Sequence, residues 1–113
     1  MKVVINRDFG GFGLSDKAVR RLFELKGWKC LEKETKYSIT FFYKDSIADE
    51  NFFSERDLER NDSDLIKVIE ELGIEANNPF SSLKIVEIPD DVKWHVSDYD
   101  GREHVAEDHR TWY

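Results

Sequence analysis

The chain has a single cysteine, Cys30, among its 113 residues, which excludes an internal disulfide framework and fits a reducing cytosol. It also lacks long apolar runs. The VVI run in MKVVINRDFGG is far too short for a signal-peptide core, and nothing approaches the length needed to cross a bilayer. A cytoplasmic protein with no membrane partner is therefore expected. A net positive charge is lacking as well: 17 Lys and Arg stand against 24 Asp and Glu, a net charge of −7, and an acidic protein repels the phosphate backbone, so general binding to DNA or RNA is not expected. No internal repeat, low-complexity tract or linker interrupts the chain, and its length accommodates one core, so residues 1–113 are read as one domain. No complete catalytic or metal motif is present, and neither a cofactor nor a metal is expected.

The chain is rich in aromatic residues. Eight Phe, four Tyr and three Trp supply enough bulk for a core despite the high charge. Charge is also divided. Residues 1–44 hold ten Lys and Arg against five Asp and Glu, a balance of +5, while residues 45–113 hold seven against nineteen, a balance of −12. A basic face able to hold an anion and an acidic face able to meet a basic partner both follow as expectations.

Local patterns predict the elements. Lys2–Asn6 is a β-branched strand bounded by turn residues. Ser15 is an N-cap with Asp16 in the first turn; Ala18, Val19, Leu22, Phe23 and Leu25 keep helical spacing, and Gly27 stops the helix. The stretch 28–36 has no clear period. In 37–43, Tyr37, Ile39, Phe41 and Tyr43 alternate with Ser38, Thr40 and Phe42, the period of a half-buried strand. The charged connection 45–60 contains Phe52 and Phe53, expected to pin it to the body. A second helix starts at a cap on Asn61 or Asp62, buries Leu65, Val68, Ile69 and Leu72, and ends at Gly73. Residues 83–88 form a strand stopped by Pro89. Asp100–Gly101, the pair a type I′ turn prefers, joins strands 93–99 and 102–107. The order β-α-β-α-β-β-β predicts an α+β domain, with one mostly antiparallel sheet of about five strands, two helices on one side and a C-terminal hairpin.

Two segments are candidates for function. Gly10, Gly11 and Gly13 lie between the first strand and the first helix. Bare amides, the helix dipole and nearby Arg7, Lys17, Arg20 and Arg21 would suit an anion. The spacing is not a dinucleotide fingerprint and lacks the Gly-Lys-Ser/Thr of a P-loop; Asp8-Phe9-Gly10 matches three letters of a kinase signature in a chain far too short for a kinase. The same glycines serve equally well as hinges of a tight turn, with Phe9, Phe12 and Leu14 covering the core. The second segment is the tail, EHVAEDHRTWY, where Arg110, Trp112 and Tyr113 are of the types that dominate interfaces and stack on bases. Docking of that tail on the chain's own core, on a second copy or around a ligand are the alternatives, so a homo-oligomer is one expectation. His104 and His109 are five apart, which is not the spacing of a zinc helix, and His95 across the hairpin could approach His104 or Glu103.

The loop GGFGLS, the segment RNDSDLIKVIEELG and the close VEIPDDVKWHVSDYDGREHVAEDHRTW carry a resemblance over nearly the whole length. The chain resembles a set of small bacteriophage and prophage proteins of unassigned function. That resemblance implies a bacterial cytoplasm and an accessory role against host defence or machinery, and it assigns no catalytic residue. Three functions are carried forward. The first is binding of a phosphate-bearing small ligand, such as a nucleotide-derived signal. Its site would comprise Arg7, Gly10, Gly11, Phe12, Gly13, Ser15 and Arg20, with Tyr99, His109, Arg110 and Trp112 contributed from the hairpin and tail. The second is an acidic inhibitor of a host protein, presenting Asp57, Glu59, Asp62, Asp64, Glu70 and Glu71. The third is a small hydrolase using Glu103, His104 and His109.

Overall fold

The computed structural model describes residues 1–108. Their elements run β1 (Lys2–Asn6), α1 (Asp16–Lys26), β2 (Cys30–Glu34), β3 (Thr40–Lys44), α2 (Ser63–Leu72), β4 (Leu83–Glu87), β5 (Trp94–Tyr99) and β6 (Arg102–Glu107). Short 3₁₀ turns occupy Asp49–Asn51, Glu55–Asp57 and Gly73–Ala76. The class is α+β.

Both helices start and stop at their sequence signals. The Ser15 hydroxyl accepts the Ala18 N–H at the head of α1, and left-handed Gly27 (φ 69°) closes its tail. Asp62, rather than Asn61, caps α2 by accepting from the N–H groups of Asp64 and Leu65. Their apolar stripes meet Val4 of β1 and Phe42 of β3, with Phe23 fully buried at the centre. The rings of Trp28 and Phe53 approach Phe23 edge-on, at centroid distances of 5.5 and 5.1 Å, which favours their quadrupoles. Phe53 thus pins the 45–60 connection as expected. Phe52 does not enter the core; it stays about half exposed, edge-on to Phe41 and Tyr43.

The single sheet of about five strands does not form. The six strands pair as three separate antiparallel two-stranded sheets, β1–β4, β2–β3 and β5–β6. The additional strand is β2, whose residues CLEKE have too little apolar periodicity to stand out. β3 is shorter than the strand expected over 37–43, and it buries Phe42 beside Tyr43, while Tyr37, Ile39 and Phe41 are exposed. Aromatic residues stand at both 41 and 42, so either phase satisfies the pattern, and packing of Phe42 on Phe23 selects the inner one. The hairpin matches its expectation, with Asp100 and Gly101 at φ 53° and 88°, both left-handed as a type I′ turn requires.

The sheet fails to continue for a physical reason. The N–H groups of Val4 and Asn6 face away from β4. Val4 donates to the Arg60 carbonyl (2.8 Å), and Asn6 donates to Glu103 Oε1 (2.8 Å). A side-chain carboxylate from β6 stands where a neighbouring strand's carbonyl would stand. It satisfies the edge of β1 without a ladder.

Candidate ligand-binding site

Asn6 organises the region around the glycine loop. It is fully buried, and both ends of its amide are used: Nδ2 donates to the carbonyls of Asp8 (2.6 Å) and Gly101 (2.8 Å), and Oδ1 accepts from the N–H groups of Ser82 (2.8 Å) and Asp8 (3.2 Å). One side chain therefore ties the end of β1 to the glycine loop, the start of β4 and the hairpin turn. The loop and the turn are in close contact. A Cβ on Gly101 would run into the Phe9 carbonyl and the Gly11 N–H, and one on Gly10 would run into the Phe80 carbonyl. Gly13 is buried against the Asn78 side chain, and its carbonyl accepts the Ser81 hydroxyl.

Beside Asn6 lies the Arg60–Glu103 ion pair. Glu103 is almost entirely buried, and its oxygens accept from Arg60 Nη1 (2.5 Å) and Nη2 (2.8 Å), a bidentate fork. The Arg60 guanidinium also stacks over the Phe12 ring, 3.7 Å from its centroid. Two cavities share Glu103 as a wall. One, of about 320 Å³, is lined by Ile5, Arg7, Tyr99, Arg102, Glu103 and His104. The other, of about 400 Å³, is lined by Gly10, Gly11, Phe12, Arg56, Arg60, Asp98 and Glu103.

The electrostatics differ from a count of charges. Glu103 is neutralised by Arg60, whereas Arg7, Arg56 and Arg102 form no ion pair among the described residues. The first cavity thus holds two uncompensated guanidinium groups, an imidazole and the largely exposed Tyr99 ring. Such a set can bind a phosphate by charge-assisted hydrogen bonds and stack on a flat ring.

Of the site residues expected from sequence, Arg7 and Tyr99 come together in the first cavity, and Gly10, Gly11 and Phe12 line the second. Gly13, Ser15 and Arg20 line neither. The head of α1, expected to be an open anion cup, is occupied by the chain's own groups: the Ser15 N–H donates to the Ala76 carbonyl, its hydroxyl to the Glu75 carbonyl, and Lys17 pairs with the Glu75 carboxylate (2.8 Å). Arg20 forms a fork with Glu32, whose hydrogen bonds raise the guanidinium's pKa and hold the Glu32 carboxyl below its usual range. His109, Arg110 and Trp112 lie outside the described residues. Arg60, Arg102 and Asn6 were not singled out from sequence. An arginine and an asparagine distant along the chain carry no local pattern that marks them.

Glu103 and His104, candidates for acid–base work, point apart along β6, the first buried on Arg60 and the second exposed. His95 does not reach them; it stands opposite Ala106, and its ring pairs with Asp108. Among the described residues no group of three or more His, Cys, Asp and Glu side chains could hold a metal.

Folding brings the chain's two charge halves together. Lys26 pairs with Asp62 (2.8 Å) and Asp64 (3.2 Å), Arg21 with Glu71 (2.8 Å), and Lys2 with Glu70 (3.3 Å). Burial would push the Asp62 carboxyl up. Hydrogen bonds from Lys26 and the Leu65 N–H outweigh that and hold it below the usual carboxylate range. Four of the six acids expected to form an acidic face are therefore already matched by the chain's own cations. No family model, curated protein or solved structure matches the chain.

Proposed function

We propose that this protein binds, rather than transforms, a phosphate-bearing small ligand such as a nucleotide-derived signal. Arg7 and Arg102 hold the phosphate, His104 adds a hydrogen bond, and Tyr99 stacks on the base. Arg56 and the amides of Gly10 and Gly11 extend the site into the second cavity. One observation carries this reading: among the described residues, two arginines share a cavity whose one acidic lining residue, Glu103, is already paired with Arg60. Uncompensated cations in a concave site are a standing attraction for an anion. The resemblance to phage and prophage proteins supports the setting, sequestration of a host signal in the bacterial cytoplasm to blunt host defence.

Thermal shift and calorimetry against a panel of nucleotides test it. A ligand at about a hundred times its Kd adds about 2.7 kcal/mol to stability, a shift of several degrees. Arg7→Ala and Arg102→Ala each abolish that shift while leaving the unliganded melting point in place. Silence across the panel, or a shift that both variants retain, ends the proposal.

A further inference from the structure

The connection between β3 and α2, which lends Arg56 and Arg60 to the second cavity, also builds a site of opposite character. A cavity of about 340 Å³ has Trp28, Phe52, Phe53 and Leu58 as apolar walls, with Glu50, Asp57 and Lys44 also lining it. Phe52 is 46% exposed and Phe41, edge-on to it, is 38% exposed, so two aromatic rings meet at the surface. Neither Glu50 nor Asp57 forms an ion pair among the described residues, and the same holds for Asp49, Glu55 and Glu59 in this connection. These acids contrast with those on α2, which face cations of α1 and β1. The chain itself supplies a cation of the kind that suits the cavity: the Lys44 ammonium stands 4.4 Å from the centroid of the Trp28 ring.

We infer that this cavity is the docking point for a basic segment of a partner protein, with a lysine or arginine side chain entering between Phe52 and the Glu50 and Asp57 carboxylates. The two acids stand beside aromatic walls, so an entering cation meets negative charge and ring faces in one place. The ring faces add a quadrupole contribution, and the aliphatic stem of the entering side chain packs on Leu58 and Phe53. Lys44 holds one face of Trp28 and competes with the incoming cation. The partner is a protein rather than a nucleic acid, because the unmatched acids of this connection, Glu50 and Asp57 in the cavity wall among them, would repel phosphates.

The experiment is fluorescence anisotropy with a labelled Gly/Ser-spaced peptide carrying several Lys and Arg residues, beside the same peptide with norleucine in their place. The basic peptide binds saturably at low salt, and the norleucine peptide binds at least about tenfold more weakly. The double variant Glu50→Gln, Asp57→Asn and the single variant Phe52→Ala each weaken binding about tenfold, whereas Lys44→Met strengthens it. Both altered carboxylates and Phe52 are exposed or near the surface, so these variants keep the fold, as an unchanged melting point verifies. Neutralising the exposed pair Asp90 and Asp91, which do not line the cavity, leaves binding as it was. The inference is overturned by absence of saturable binding at about 50 mM salt, by equal binding of the norleucine peptide, or by an equal loss in the Asp90/Asp91 variant, which would mean net charge alone holds the peptide.

Discussion

Replacing Arg60 with methionine is the sharpest test of how the fold is held. The substitution keeps an apolar stem of similar length but strips Glu103 of its counter-charge. The Glu103 side chain is only 5% exposed, so its carboxylate cannot turn to water, and the Asn6 N–H is the one hydrogen bond left to it in the core. Removing one partner of such a pair costs about 3–5 kcal/mol. Unfolding entropy of about 2.1 cal/mol/K per residue gives about 0.24 kcal/mol/K for 113 residues, so the melting point of Arg60→Met falls by about 12–20 °C. Glu103→Gln costs less, about 1–3 kcal/mol, because the amide still accepts the Asn6 N–H and Arg60, 19% exposed, can reach solvent. The double variant Arg60→Met, Glu103→Gln recovers much of the loss, since no buried charge remains. Differential scanning calorimetry or urea titration on the four proteins completes a double-mutant cycle. A drop below about 4 °C for Arg60→Met, or a double variant as unstable as the two singles added together, refutes the reasoning.

Three further outcomes are expected. Asn6→Ala leaves the Asp8 and Ser82 N–H groups without their acceptor and costs at least about 1–3 kcal/mol, measurable by urea unfolding, whereas Asn61→Ala at the exposed end of the 45–60 connection stays within about 0.5 kcal/mol. Gly10→Ala forces the loop off the Phe80 carbonyl and lowers the melting point, while Lys36→Ala on an exposed turn does not; equal melting points would remove the close-approach account. Asp62 has a folded pKa below its unfolded one, so its contribution is fully present above the unfolded value, about pH 4, and is lost as pH falls through the folded value. Asp62→Asn keeps the helix cap and flattens that acid limb in a pH series of melting points; an unchanged acid limb contradicts the assignment.

Legibility from sequence followed the range of the interactions involved. The ends of α1 and α2 and the Asp100–Gly101 turn are fixed by residues within four positions, and these stand where their signals place them. β2 was missed because its partner strand, not its own pattern, makes it a strand. The division into three sheets depends on a carboxylate at 103 meeting an amide at 6, a contact that no window of sequence contains. The candidate site divides in the same way. Arg7 and the loop glycines were readable because they cluster locally, whereas Arg102 and Arg56 acquire their importance only once Arg60 has taken Glu103. The matching of α1 cations with α2 acids was likewise hidden in a count that recorded only an uneven balance.

The closed edge of β1 also sets the order in which the chain can assemble. Val4 and Asn6 find their partners 56 to 97 positions further along, at Arg60, Ser82, Gly101 and Glu103. During synthesis β1 therefore waits, unpaired and apolar, while α1 and α2 can already pack on each other. Closing so large a loop is slow and comes late. An interrupted chain that stops before β4 presents VVI as an open strand edge, the form most prone to stick to its neighbours.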